Sequence, residues 1–159
     1  MSVFLTFIIA EHNQPILTVL DFETNDVSSS DMNSIIDILS SGLFKTEYFI
    51  VIDIAQRETV LNELEFSLSG CTDEACMLEV GKMLSAELIV VGSMSSIGSK
   101  IVLSAKMIET ETSKTMSTAD GIYADMDDLL GNLYHFIDSL SLPYAKNEDI
   151  ITASDKRTT

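Results

Sequence analysis

The sequence predicts an α/β (α+β) domain built on a single mixed sheet, with elements in the order β-α-β-α-α-β-β-β-α. Three observations lead there. Two short apolar runs, Ile16–Phe22 and Tyr48–Asp53, are rich in strand formers, and each is followed by a stretch of helical periodicity. Three longer β-rich runs, Glu87–Ile97, Lys100–Thr110 and Lys114–Tyr123, follow one another across very short links. An amphipathic helix then closes the patterned part of a chain whose 159 residues fit one domain with a full core. The domain is expected over residues 15–142, between a start (1–14) that is flexible or a truncated export signal and a disordered polar tail (143–159).

Pro15 opens the first run, which reads as a buried strand. Glu23–Asp31 is polar and reads as a loop, with Ser30 or Asp31 capping the next helix. There Met32, Ile35, Ile36, Leu39 and Leu43 make one apolar stripe, and Ser41-Gly42 offers a stop. The second run, Tyr48–Asp53, also reads as a buried strand. A second helix is expected from about Gln56 to Leu68, with Val60, Leu61, Leu64 and Leu68 on one face. Ser69-Gly70 ends it, and Thr72 or Asp73 caps a third helix whose inner stripe is Met77, Val80 and Leu84. Gly81, inside that helix, marks a close backbone approach. The first connections are crossovers and are expected to be right-handed.

Gly98-Ser99 and Thr112-Ser113 are the turns of an antiparallel meander. Ile101, Leu103, Ala105 and Met107 point one way, and Val102, Ser104, Lys106 and Ile108 the other. The first set is the more apolar, so one face should pack on helices and the other stay partly wet. In the last helix Met126, Leu129, Leu130, Leu133, Phe136, Ile137 and Leu140 repeat at helical spacing behind Asp125, Asp127 and Asp128.

The net charge of −16 argues against nucleic acid or anionic lipid as a partner, because both require lysine and arginine against phosphate. No apolar run reaches the roughly 18 residues of a spanning helix. The start, MSVFLTFIIA, reads either as a truncated export signal, lacking a basic flank and with Ile8 where a small residue is wanted, or as a frayed first strand.

Cys71 and Cys76 are the only cysteines. Their C-x4-C spacing lacks the second ligand pair of a zinc site, since His12 and His135 fall on distant elements. With Cys71 just before the helix and Cys76 in its second turn, they can lie within the Cα separation of about 4.4–6.8 Å that a disulfide needs. The pair reads as a disulfide in an oxidising compartment, or as two small buried thiols in a reducing one. Asp21 and Asp53 end predicted strands, with Glu23 near the first. Strand ends of α/β sheets are where divalent-cation-dependent phospho-acceptor or phosphohydrolase sites place carboxylates; strand-to-loop capping is the simpler reading. The aspartates at 125, 127 and 128 read as helix N-terminal charge compensation rather than a calcium loop. No nucleophile elbow, P-loop, dinucleotide fingerprint or metalloprotease helix occurs in the sequence, and no cofactor or small-molecule substrate is expected.

The segments ILTVLDF, YFIVID, QRETVLNELEFSLSG, CTDEACMLEVGKMLSAELIVVGSMSSIG and IVLSAKMIETETS resemble, in that order, the CsgG-like family of bacterial envelope domains. The N-terminal domain of TolB and the lipoprotein LpoB share its fold type. Ser69, Gly70, Cys71, Cys76, Gly81, Ala86, Gly92 and Ser93 occupy the positions that carry the resemblance, which spans about Ile16 to Asp120. Asp53-Ile54 and Thr112-Ser113 stand where the family often has Glu-Arg and Thr-Gly. The resemblance implies a non-catalytic domain of an envelope assembly or secretion system, periplasmic or associated with the outer membrane. It also implies protein partners met through a sheet edge or a helix face, homo-oligomers among them, and membrane association only through an upstream anchor or a partner. The links of the meander are too short for the hairpins of a curli pore, since a membrane-crossing strand takes about 9–11 residues.

Overall fold

In the computed structural model, which describes residues 14–146, six strands form one mixed sheet. The elements are β1 (Ile16–Val19), β2 (Glu23–Asn25), α1 (Ser29–Lys45), β3 (Ile50–Ile52), α2 (Ile54–Glu63), α3 (Glu74–Met83), β4 (Leu88–Ile97), β5 (Lys100–Glu109), β6 (Thr115–Tyr123) and α4 (Met126–Ser141). The strand order is β3-β1-β4-β5-β6, with β2 also on β4. Pairing is parallel among β3, β1, β2 and β4, then antiparallel through β5 and β6. The mixed sheet, the meander and the closing helix stand as the sequence pattern predicts.

Helix starts are set by side-chain caps, and all four α-helices of the described residues begin at an aspartate or serine cap. Ser28, rather than Ser30 or Asp31, caps α1, its Oγ accepting from the Asp31 amide at 3.0 Å. Asp73 and Asp125 cap α3 and α4 in the same way. Asp53 caps α2 by accepting from the Gln56 amide at 2.8 Å. Packing outweighs these caps. Leu129, Leu133, Phe136, Ile137 and Leu140 are all buried, each worth roughly 1.5–3 kcal/mol, against about 1 kcal/mol for a cap.

Several helix bounds differ from expectation, each for a local reason. α1 passes through Gly42 and ends at Lys45, because the missing Cβ of Gly42 makes room for Ile137 of α4 rather than stopping the helix. α2 begins at Ile54 and ends at Glu63, well short of Leu68. Glu65 adopts φ 53° and the Phe66 amide donates back to the Leu61 carbonyl at 2.9 Å, a helix ending usually built on glycine. α3 ends the same way, with Ser85 at φ 54° and the Ala86 amide donating to the Gly81 carbonyl at 2.9 Å. β3 is an edge strand rather than a buried one, and Ile50 is 51% exposed.

The polar segment expected to be wholly loop contains β2. Its Glu23–Asn25 pair with Ser93–Ser95, while Leu17–Val19 pair with Leu88–Val90 on the same side of β4. The four steps from Val19 to Glu23 stand opposite three from Val90 to Ser93, so one extra residue is accommodated at Leu20–Phe22. That bulge switches the side-chain phase. Leu17 and Val19 point to one face, Leu20 to the other, and Phe22 returns to the first.

Each face of the sheet carries its own core. On one, Leu17, Val90, Leu103 and Met107 lie beneath α1 and α4. On the other, Leu20, Ile89, Val91 and Ile108 lie beneath α2 and α3, which cover only the β3-β1-β4 half. Packing continues past Ser141 through a 3-10 turn, Leu142–Tyr144, where Tyr144 meets Phe49 edge to face at 5.0 Å. The expectations for His12 and the apolar start, and for the tail from residue 147 onward, fall outside the described residues.

Gly92 and Gly131 should respond oppositely to alanine. A Cβ at Gly92 would overlap the Ser104 carbonyl and the Phe22 ring, whereas Gly131, inside α4, has open space. Gly92→Ala should lower stability by about 1–3 kcal/mol or more. Gly131→Ala should raise it by about 0.5–1 kcal/mol. Urea unfolding midpoints of the two variants check both signs.

Candidate functional site

The uncovered half of the sheet carries a cleft. The distal part of β4, with β5 and β6, shows one face to solvent in side-chain rows set by the register. Glu23, Ser93, Ser104 and Asp120 form one row; Asn25, Ser95, Val102 and Ile122 form the next. A cleft of about 440 Å³ runs across the first row to the N-terminus of α3, lined also by Thr72, Glu74, Met77 and Lys106. Lys106 bridges the cleft by an ion pair to Glu74. Both partners are substantially exposed, so this pair contributes at most about 1 kcal/mol. Ile97 and Ile122, 66% and 71% exposed, mark the apolar end of the same face.

Cys71 and Cys76 are joined in a disulfide, with Cα atoms 5.5 Å apart. The bond ties the incoming loop to the first turns of α3, beside Glu74 and Met77 of the cleft wall. Gly70, before it, adopts φ 92°. At Gly81 a Cβ would lie 2.7 Å from both Ile89 and Thr110, so the glycine brings α3 down onto β4. The buried Thr110 hydroxyl donates to the Ala86 carbonyl at 2.7 Å and locks the α3–β4 junction. Gly92 admits the Phe22 ring over the bulge, Ser93 faces the cleft, and Ser69 shares a hydroxyl hydrogen bond of 2.7 Å with Ser67.

Asp21, Glu23 and Asp53 do not converge, which removes the geometric basis for a shared cation site. Glu23 lines the cleft, and Asp53 is engaged as the α2 cap. Asp21 receives Arg57 Nη2 at 2.7 Å on another side of the domain. No group of three histidine, cysteine or acidic residues among the described residues could hold a metal ion. Arg57 is the site residue that the sequence reading missed: it stands three and four residues before Val60 and Leu61, on the inner stripe of α2, but its charge reads as solvent-facing, and it is only 3% exposed. Its Nη1 donates to the Val19 carbonyl at 2.6 Å, so the guanidinium clamps the end of β1 to Asp21 inside the Leu20–Phe22 bulge. Lys106 and Ser104 belong to the face already expected to be wet; Glu74 and Asp120 carry no pattern signal.

A second groove, of about 320 Å³, follows the outer side of β6 from Ala119 to Tyr123 and is walled by Asp128, Asn132, His135 and Ser139 of α4. Burial, reinforced by the neighbouring Asp128 carboxylate, holds the Tyr123 phenol above its ordinary value of 10.0. Tyr144 is raised as well, by burial and then by Glu109 and Glu87.

The family model of the curli production assembly/transport component CsgG matches residues 18–116. No curated protein matches the chain. Among solved structures, it is similar to the LpoB C-terminal domain from Escherichia coli (14% identity, 69% of this chain and 82% of that one, TM-score 0.58). It is also similar to lipoprotein GNA1162 from Neisseria meningitidis (8% identity, 69% and 81%, TM-score 0.55). A third similar structure is the PelC dodecamer from Paraburkholderia phytofirmans (11% identity, 83% and 88%, TM-score 0.53). At these identities the likeness is one of fold.

Replacing both cysteines by serine should lower stability by about 2 kcal/mol, the chain-entropy value for so short a loop. Denaturant unfolding with and without reductant measures it, and the variant should not respond to reductant. The raised tyrosines give a pH signature. A neutral phenol favoured in the folded state stabilises fully below the unfolded pKa, and that contribution is lost as pH rises through the higher folded value. Stability should therefore fall above about pH 10, and Tyr123→Phe should weaken that fall, as followed by spectrophotometric tyrosine titration beside unfolding curves.

Proposed function

Because the chain belongs to the CsgG family, whose model covers more than half of it, we propose that it is a non-catalytic interaction domain of a bacterial envelope assembly or secretion system. It works in the periplasm or at the outer membrane. The observation that carries this reading is the half-covered sheet: among the described residues, a domain with two formed cores leaves one face of β5 and β6 open and the edge of β6 unpaired. Surfaces of that kind bind proteins by strand addition or by packing across the face. The Cys71–Cys76 disulfide supports an oxidising compartment. The similar fold of a lipoprotein and of a dodecamer-forming protein supports an anchored or oligomeric setting. The link between β4 and β5 is Gly98-Ser99 and that between β5 and β6 is Thr110–Lys114, too short for membrane-crossing hairpins of about 9–11 residues per strand. This supports an adaptor rather than a pore. Among the described residues no helix is long and apolar enough to cross a membrane.

The reading is tested by cell fractionation with free thiols blocked at lysis. The chain should be found in the envelope with Cys71 and Cys76 joined; free thiols on a cytoplasmic chain would overturn it. Magnesium should leave the melting temperature unchanged. A magnesium-dependent rise abolished by Asp53→Asn would instead support a carboxylate site.

A further inference from the structure

We propose that the outer edge of β6 receives an extended, lysine- or arginine-bearing segment of the partner as an added strand. This rests on the interaction-domain reading above and specifies its surface and the chemistry of what binds there. Three observations combine.

The first is an available edge. From Ser117 to Tyr123 the ladder with β5 is regular, the one register shift lying earlier, at Met107/Ile108 opposite the start of β6. Among the described residues, no backbone group of β6 bonds outward. The strand lacks the lysine and proline that commonly blunt an exposed edge. At the opposite edge β3 offers only three residues, too few for a comparable ladder.

The second is a groove beside that edge. A strand laid along β6 would send alternate side chains to the two sides of the sheet. On one side they would drop toward Asp128, Asn132, His135 and Ser139 of α4. On the other they would extend the rows ending at Asp120 and Ile122.

The third is charge. From residue 115 to 145 there are five aspartates (120, 125, 127, 128 and 138) and no lysine or arginine. Lys106, on neighbouring β5, is paired with Glu74, which leaves the carboxylates of this surface to a cation brought by the partner. A second copy is the poorer occupant: Asp120 is central to Ser117–Tyr123, so two β6 strands paired antiparallel about their centres would set Asp120 against Asp120. Like charges directly opposite are destabilising, whereas lysine opposite aspartate is favourable. The overall charge of −16 on each chain adds to the repulsion.

The test uses the full chain and a short fluorescent peptide alternating lysine and valine, with a glutamate–valine peptide as counterpart. The lysine peptide should bind, more weakly as salt is raised, and should protect from hydrogen exchange the outward-pointing amides of Ser117–Tyr123, those not bonded to β5. Asp120→Asn should weaken it about two- to fivefold, and Glu58→Gln, on α2, should leave it unchanged. Absence of binding, equal binding of the glutamate peptide, or binding without protection of β6 would overturn the proposal. So would outward-pointing β6 amides already protected in the free chain, which would assign the edge to a second copy or to this chain's own residues 147–159. A photo-crosslinking side chain placed at Ile122 or at exposed Phe44 of α1 separates the two levels of the argument. Capture in the envelope at Ile122 that the lysine peptide competes away supports the edge; capture only at Phe44 removes the β6 site and keeps the interaction domain; capture at neither overturns both.

Discussion

β4 takes hydrogen-bonded partners along both of its sides, and the helices occupy what those partners leave uncovered. One side carries β1 and then β2 in parallel; the other carries β5 along its full ten residues. This arrangement forces the features around it. Gly92 must lack a side chain, because Phe22 and the Ser104 carbonyl occupy its space. The strand opposite must bulge between its two pairing segments, and Arg57 holds that break through Val19 and Asp21. Removing a buried guanidinium that satisfies a carbonyl costs more than removing the exposed carboxylate it also binds. Arg57 is thus the structural partner, and Asp21 the accessory.

Asymmetry in helix coverage then separates structure from surface. α1 and α4 cover one face, while α2 and α3 cover half of the other. The boundary of that half is fixed by the α3 N-terminus, held by the disulfide, by Asp73 as cap and by the Lys106–Glu74 pair. The disulfide is the strongest of these, at about 2 kcal/mol, against about 1 kcal/mol for the cap and at most that for the exposed pair. Loop and helix end together form a fixed wall for the cleft.

Legibility in the sequence follows the physical source of each feature. The meander and α4 are read from period-2 and period-3.6 patterns because burial alone selects those residues, as at Leu103 and Met107 or Leu129 and Leu133. β2 is not, since Glu23, Thr24 and Asn25 are exposed and are held by backbone pairing that leaves no side-chain pattern. The end of α2 escapes for a related reason: Leu64 and Leu68 continue the helical spacing, but Glu65 turns the chain without the usual glycine. The cysteine geometry was readable from spacing relative to a helix start. The cleft and the β6 groove were not, because each joins residues far apart in sequence, such as Glu23 with Asp120 or Ile122 with His135.

The central place of β1 also bears on how the chain assembles as it is made. Leu17–Val19 precede both of their partners, Ile50–Ile52 and Leu88–Val90, in the chain. One edge of β1 therefore stays open until β4 has emerged as well. The β4–β5–β6–α4 region is built from neighbours in sequence and closes its contacts locally. The locally closed meander is the template on which β1 is finally fixed, and a holdase that shields β1 until β4 is in place would act on that interval.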